Sequence, residues 1–191
     1  MVDIASKKQR LIRKSITVLV KEPRASLGEI AKGIGVGRAT LQRYFPKRDD
    51  LLREIALETI LKTDEVLAPL YHMDLSAEEI LLKMFEALIP LGDYYHFLAS
   101  SPEVMAFEDV IQECERQMKE LRLYVQDLKQ EGLIAPDVPV AWAVHMIDML
   151  IWTAWSAIED GSIARNDAAQ LAVRTLMTGL STPLAFTATR S

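Results

Sequence analysis

The stretch from Ser26 to Pro46 leaves the chain little choice of backbone. Ser26-Leu27-Gly28-Glu29 has the form of a capping box, in which the Ser26 hydroxyl accepts from the Glu29 amide and the Glu29 carboxylate reaches back, so a helix starts at Leu27. Its inner face is Ile30, Ala31 and Ile34, and Gly35 follows where a positive φ is wanted to end it. Val36 plugs the angle, and Gly37 to Phe45 forms a second short helix that stops before Pro46, because a residue preceding proline is pushed out of the helical region. Leu41 and Phe45, four apart, face inward and leave Arg38, Ala39, Gln42 and Arg43 outside. Upstream, Ile12, Ile16, Leu19 and Val20 recur at helical spacing across residues 4–20, with Lys7, Lys8, Arg10, Arg13 and Lys14 around them and Pro23 beyond the end. An amphipathic helix followed by two short ones, the last tipped with guanidiniums and an amide, is a helix-turn-helix; Arg forks to guanine and Gln pairs with adenine in a major groove.

Charge supports that reading. Residues 1–54 hold 13 Lys and Arg against 6 Asp and Glu, and the remaining residues hold 9 against 21, so the overall −5 hides a basic head and an acidic remainder. Such an asymmetry points the head at a polyanion, the alternative being a merely solvated charged surface. The lone Cys114 excludes an intrachain disulfide, and Glu113 and Glu115 beside it argue against a redox-sensing thiolate. The opening residues lack the apolar run of a secretory signal, which predicts a cytoplasmic protein.

The rest reads as helix throughout, so the expected fold class is all-α: a helix-turn-helix domain over residues 1–50 and a helical effector-binding and dimerisation domain over 51–185. Leu51, Leu52, Ile55, Ala56, Thr59 and Ile60 open a connector running to Pro69. Ser76 to Glu79 repeats the capping box ahead of Ile80, Leu81, Met84, Phe85, Leu88 and Ile89, and Pro90 and Gly92 bend or end that helix. Ser101-Pro102-Glu103 reads as a cap with proline at the first helical position, starting a helix that runs to about Glu131, with a break allowed. Two more helices follow, at about Val140–Glu159 and Ala164–Leu180. Residues 138–158 are apolar nearly all round, but His145 and Asp148 argue against a membrane span. A helix of that kind needs two sets of neighbours, one from its own chain and one from a second subunit. Ala168, Ala172, Thr175, Leu176 and Gly179 give the last helix small and apolar positions for close packing.

Ile30 to Leu52 resembles the signature of the TetR family of one-component transcriptional regulators: Ile30-Ala31, Gly35-Val36, Thr40-Leu41 and Phe45 match, with Arg48 where the family usually has Lys. Gln42 replaces the usual phosphate-contacting Tyr, and Gly37 the frequent Ser. The resemblance covers about the first 55 residues. It implies a homodimer built through the last two helices, on a palindromic operator of double-stranded DNA, most simply a repressor released by a small, largely apolar effector. It also implies a DNA-facing set of Ser26, Leu27, Gly37, Arg38, Ala39, Thr40, Arg43 and Tyr44, with Lys47 and Arg48 on phosphate. Gln42 can serve base or phosphate, and Tyr44 can equally pack between helices. Activation and co-repression fit the same residues.

For an effector pocket the candidates are the large soft and aromatic side chains Met84, Phe85, Tyr94, Phe97, Met105, Phe107, Met118 and Trp152, with His145 as a polar contact. The rival reading is a small helical enzyme using His96 or His145; it lacks nucleophile and base spacing, a glycine-rich phosphate loop and a metal quartet. No catalytic residue, metal or cofactor is therefore expected.

Overall fold

The computed structural model describes residues 2–180, so positions 181–185 of the expected second domain lie outside the described residues. Among the described residues there are nine α-helices and no strand: α1 Val2–Leu19, α2 Leu27–Gly33, α3 Arg38–Tyr44, α4 Arg48–Leu67, α5 Ala77–Leu88, α6 Gly92–Ser100, α7 Glu108–Gln130, α8 Val140–Glu159 and α9 Arg165–Leu180.

The helices form two packing units, one from Met1–Glu65 with Leu91–Glu115 and the other from Val66–Pro90 with Arg116–Ser191. That division falls elsewhere than the cut expected after residue 50. In the first unit, α4 contributes Leu51, Leu52, Ile55, Ala56 and Ile60 to the same buried cluster as Ile16, Leu19, Ile30, Leu41 and Phe45, and Phe97, Val104 and Val110 join it. Each large apolar side chain withdrawn from water there contributes about 1.5–3 kcal/mol, so the head core is inseparable from α4. Polar pairs fix α4 on α1: Glu58, almost fully buried, accepts from Arg13 Nε at 3.2 Å and Gln9 Nε2 at 3.2 Å, and Lys8 pairs with Glu54 at 2.8 Å.

Residues 101–107 correct the sequence reading. Ser101 makes no cap bond; its Oγ is buried without a hydrogen-bond partner, and Pro102–Ala106 is a 3₁₀ turn followed by extended Phe107 before α7 begins. Val104 within this turn, Phe107 after it and Val110 in the first turn of α7 all reach the head core.

The second unit is a helical layer in which α9 packs on both α5 and α8. Leu81, Met84 and Phe85 of α5, Val144, Ile147 and Ile151 of α8, and Ala172 and Leu176 of α9 are buried. Tyr124 on α7 donates its hydroxyl to the Ala77 carbonyl at 3.0 Å, and burial pushes that phenol well above its ordinary pKa. Of the small α9 residues expected at a subunit contact, Ala168, Ala172 and Leu176 are buried within the protomer, because α5 and α8 occupy that face; Thr175 and Gly179 stay exposed.

Candidate nucleic-acid interface

The capping box closes as its spacing requires. Ser26 Oγ accepts from the Glu29 amide at 3.3 Å, and the Glu29 carboxylate accepts from the Ser26 amide at 2.7 Å. That backbone bond, with the Ser26 hydroxyl second, holds the Glu29 carboxyl below its usual range. At the other end of α2, Gly35 adopts φ +73°, and the Val36 amide reaches the Ala31 carbonyl at 2.9 Å while Gly35 reaches Lys32 at 3.2 Å. This paired arrangement satisfies the last carbonyls of α2 and turns the chain toward α3.

Helix α3 starts at an N-cap Gly37 that offers no side-chain bond and ends at Phe45, extended at φ −135° before Pro46. Leu41 and Phe45 are fully buried. Opposite them, Gly37, Arg38, Ala39, Gln42 and Arg43 are exposed, and Thr40 is half-buried. Arg38 crosses back over α2, its Cδ lying 3.7 Å from where a Cβ on Gly28 would stand, so its stem is supported before its guanidinium leaves the surface. Tyr44 is half-buried against the head core, tilted on Phe45 with ring centroids 6.4 Å apart. The Arg43 guanidinium sits 5.4 Å from the Tyr44 ring centroid, a cation–π contact that restrains Arg43.

The remaining predicted residues divide. Ser26 is exposed, whereas Leu27 is buried and can present only its backbone. Lys47 is exposed, and its amide donates to Asp50 Oδ2 at 2.8 Å, closing the start of α4. Arg48 is turned inward, with Nε on the Ala25 carbonyl at 2.9 Å, Nη2 on the Pro23 carbonyl and Nη1 on Glu103 at 3.1 Å. A guanidinium so held is not offered to a phosphate. No local signal marks this arrangement, because its three partners lie 23, 25 and 55 positions away.

The nine pocket candidates are dispersed. In the first unit Phe97 is fully buried in the head core, Tyr94 and Phe107 pack against it, and Met105 is exposed. In the second unit Met84 and Phe85 are core, Met118 is half-buried, and His145 and Trp152 are exposed. A cavity of about 430 Å³ lies between the start of α5 and α9, lined by Ser76, Glu78, Glu79, Leu82, Gln170, Val173, Arg174, Met177 and Thr178; none of the nine lines it.

Residues 23–55 match the family described as bacterial regulatory proteins, tetR family. They span the capping box, the glycine turn, α3 and the start of α4. Over these residues the chain is similar to that family. Across nearly its whole length it is 25% identical to the HTH-type transcriptional repressor LfrR of Mycolicibacterium smegmatis, over 181 residues covering 92% of this chain and 90% of that protein. The crystal structure of LfrR with proflavine matches with a TM-score of 0.76 at 23% identity, covering 94% of this chain and 99% of that one. The structure of AibR with isovaleryl coenzyme A and operator DNA matches with a TM-score of 0.74 at 16% identity, covering 89% and 97%. The relatives it matches over most of its length are HTH-type transcriptional regulators, and the solved structures share its fold.

Proposed function

We propose that the chain is a cytoplasmic homodimeric repressor that leaves a palindromic operator when a small, largely apolar effector binds. In this division of labour residues 1–50 carry DNA contact and residues 51–185 carry effector binding and dimerisation. The observation that carries the reading is α3, whose exposed face holds Arg38, Ala39, Gln42 and Arg43 over a buried Leu41 and Phe45. Arg43 and Gln42 meet base edges, and Arg38 and Lys47 flank them toward phosphate. The relatives support the rest: LfrR is a repressor crystallised with proflavine, and AibR was crystallised with isovaleryl coenzyme A and operator DNA.

Dimerisation through α8 and α9 is supported by the outer face of α8. Trp142, Met149 and Trp152 are 58%, 53% and 40% exposed and fall on one side of the helix. Only 28% of the apolar window in α8 is buried within the protomer, although by length and composition the helix could cross a membrane. Asp148 and His145 on that helix make a second protein surface the better neighbour than lipid. A two-fold dimer sets two recognition helices about one DNA turn, roughly 34–36 Å, apart.

The test is selection of a duplex from a random pool by the wild-type chain, then fluorescence anisotropy of the selected and scrambled duplexes over a salt series. Arg43→Ala is expected to cost about 1–3 kcal/mol on the selected duplex, relax the preference at one base pair in each half-site and leave the dimer intact. Equal binding of both duplexes by the wild type refutes sequence-specific recognition. With proflavine as the first effector probe, linkage requires that operator DNA weaken proflavine binding by the same factor by which proflavine weakens operator binding.

A further inference from the structure

We propose that Arg48 is a positioning residue for DNA recognition, tying the turn before α2 to Glu103, and that it is not itself a phosphate ligand; the proposal rests on α3 being the recognition helix. The turn between α1 and α2 has carbonyls at Pro23 and Ala25 that accept the Arg48 guanidinium, and the third bond goes to Glu103 on the 3₁₀ turn Pro102–Ala106. Ser26, which caps α2, is the residue directly after Ala25, so the placement of the α2 start follows from where Arg48 holds this turn. A planar fork of five N–H donors can serve acceptors on several sides at once, whereas the single ammonium of a lysine acts as one point charge.

A second pair five residues on repeats the arrangement: Arg53 donates through Nε to Asp109 Oδ1 at 3.0 Å and through Nη2 to Asp109 Oδ2. Between the two carboxylates, Val104 is fully buried in the head core, and Val110 beside Asp109 is buried there as well. Two arginines of α4 thus clamp residues 103–109 to the head from outside while the valines anchor it from inside. Glu103 acts on DNA only through Arg48, which gives its removal a diagnostic sign. Taking a negative charge off the head tightens binding to a polyanion if electrostatics alone operates. Releasing Arg48 from its brace weakens recognition.

The experiment compares wild type, Arg48→Gln and Glu103→Gln on the duplex that the wild-type chain selects and on a scrambled duplex. The expected result is about a tenfold loss for either variant on the selected duplex, the size of one charge-assisted hydrogen bond, with a smaller ratio of selected to scrambled binding. The slope of log affinity against log salt stays at its wild-type value in both. The proposal is overturned if Glu103→Gln binds as tightly as wild type or tighter. It is equally overturned if Arg48→Gln lowers the salt slope by about 0.9, the signature of one lost phosphate contact. Global destabilisation changes the active fraction and leaves the ratio of affinities untouched, so a merely structural role is told apart. If the random pool yields no preferred duplex, the regulatory reading fails separately, and hydrogen exchange of the free chain decides the anchor. Faster exchange at residues 26–30 in Arg48→Gln supports it, and unchanged exchange overturns it.

Discussion

Gly33→Ala sets two effects of known size against each other. Gly33 is the last residue of α2, and alanine there would gain about 0.5–1 kcal/mol through reduced backbone freedom in the unfolded chain. Opposing it, a Cβ on Gly33 would stand 2.8 Å from Val18 Cγ2 and 3.3 Å from Cγ1 on α1. Val18 cannot step aside cheaply, since a β-branched side chain in a helix has essentially one rotamer and this one packs against the head core. Overpacking of that kind costs about 1–3 kcal/mol, so the net expectation is a loss of about 1 kcal/mol. At about 2–4 °C per kcal/mol for a chain of this size, thermal unfolding followed by circular dichroism should show the midpoint fall by about 3 °C. In a Val18→Ala background the obstruction is gone, and Gly33→Ala should then raise the midpoint. A single variant as stable as wild type, or a loss that persists in the Val18→Ala background, refutes the assignment of the α1–α2 approach to this contact.

Two further perturbations probe the second unit. Replacing Trp142 and Trp152 by alanine should raise the dimer dissociation constant at least about 30-fold per tryptophan in sedimentation equilibrium, with helicity unchanged; an unaltered constant removes α8 from the interface. Burial raises the Asp148 carboxyl above its ordinary 3.8, with His145 pulling it back less strongly. The protonated form is therefore the one the fold favours, a contribution fully present below pH 3.8 and lost as pH rises through the folded value. Asp148→Asn should accordingly melt higher than wild type at pH 7, with the difference closing as pH falls toward 3.8; a gap independent of pH contradicts it.

Much of the head was legible in the sequence, because its signals are local. Ser26 and Glu29, Ala31 and Val36, Lys32 and Gly35, and Phe45 before Pro46 act within five residues of one another, and the backbone obeys them wherever the segment is placed. The outer face of α3 follows from the burial of Leu41 and Phe45, a matter of helical period. Capping also marked α5 correctly at Ser76 and Glu79. The same logic does not carry over to Ser101, where a cap, a proline and an acidic turn are met by a 3₁₀ turn that buries Val104 in the head core.

What the sequence by itself determined is thus the all-α class, most of the helices though not α6, the turn that joins α2 to α3, and the family that this pattern resembles. Tertiary structure alone decided that residues 91–115 pack with the head, that Phe97 fills its core, and that Arg48 faces inward to Pro23, Ala25 and Glu103. The physical reason is range. Helix caps and turns are settled by bonds among neighbours in the chain, whereas an arginine with five N–H donors chooses among every carbonyl and carboxylate the fold brings near it, and that choice exists only once the helices have packed.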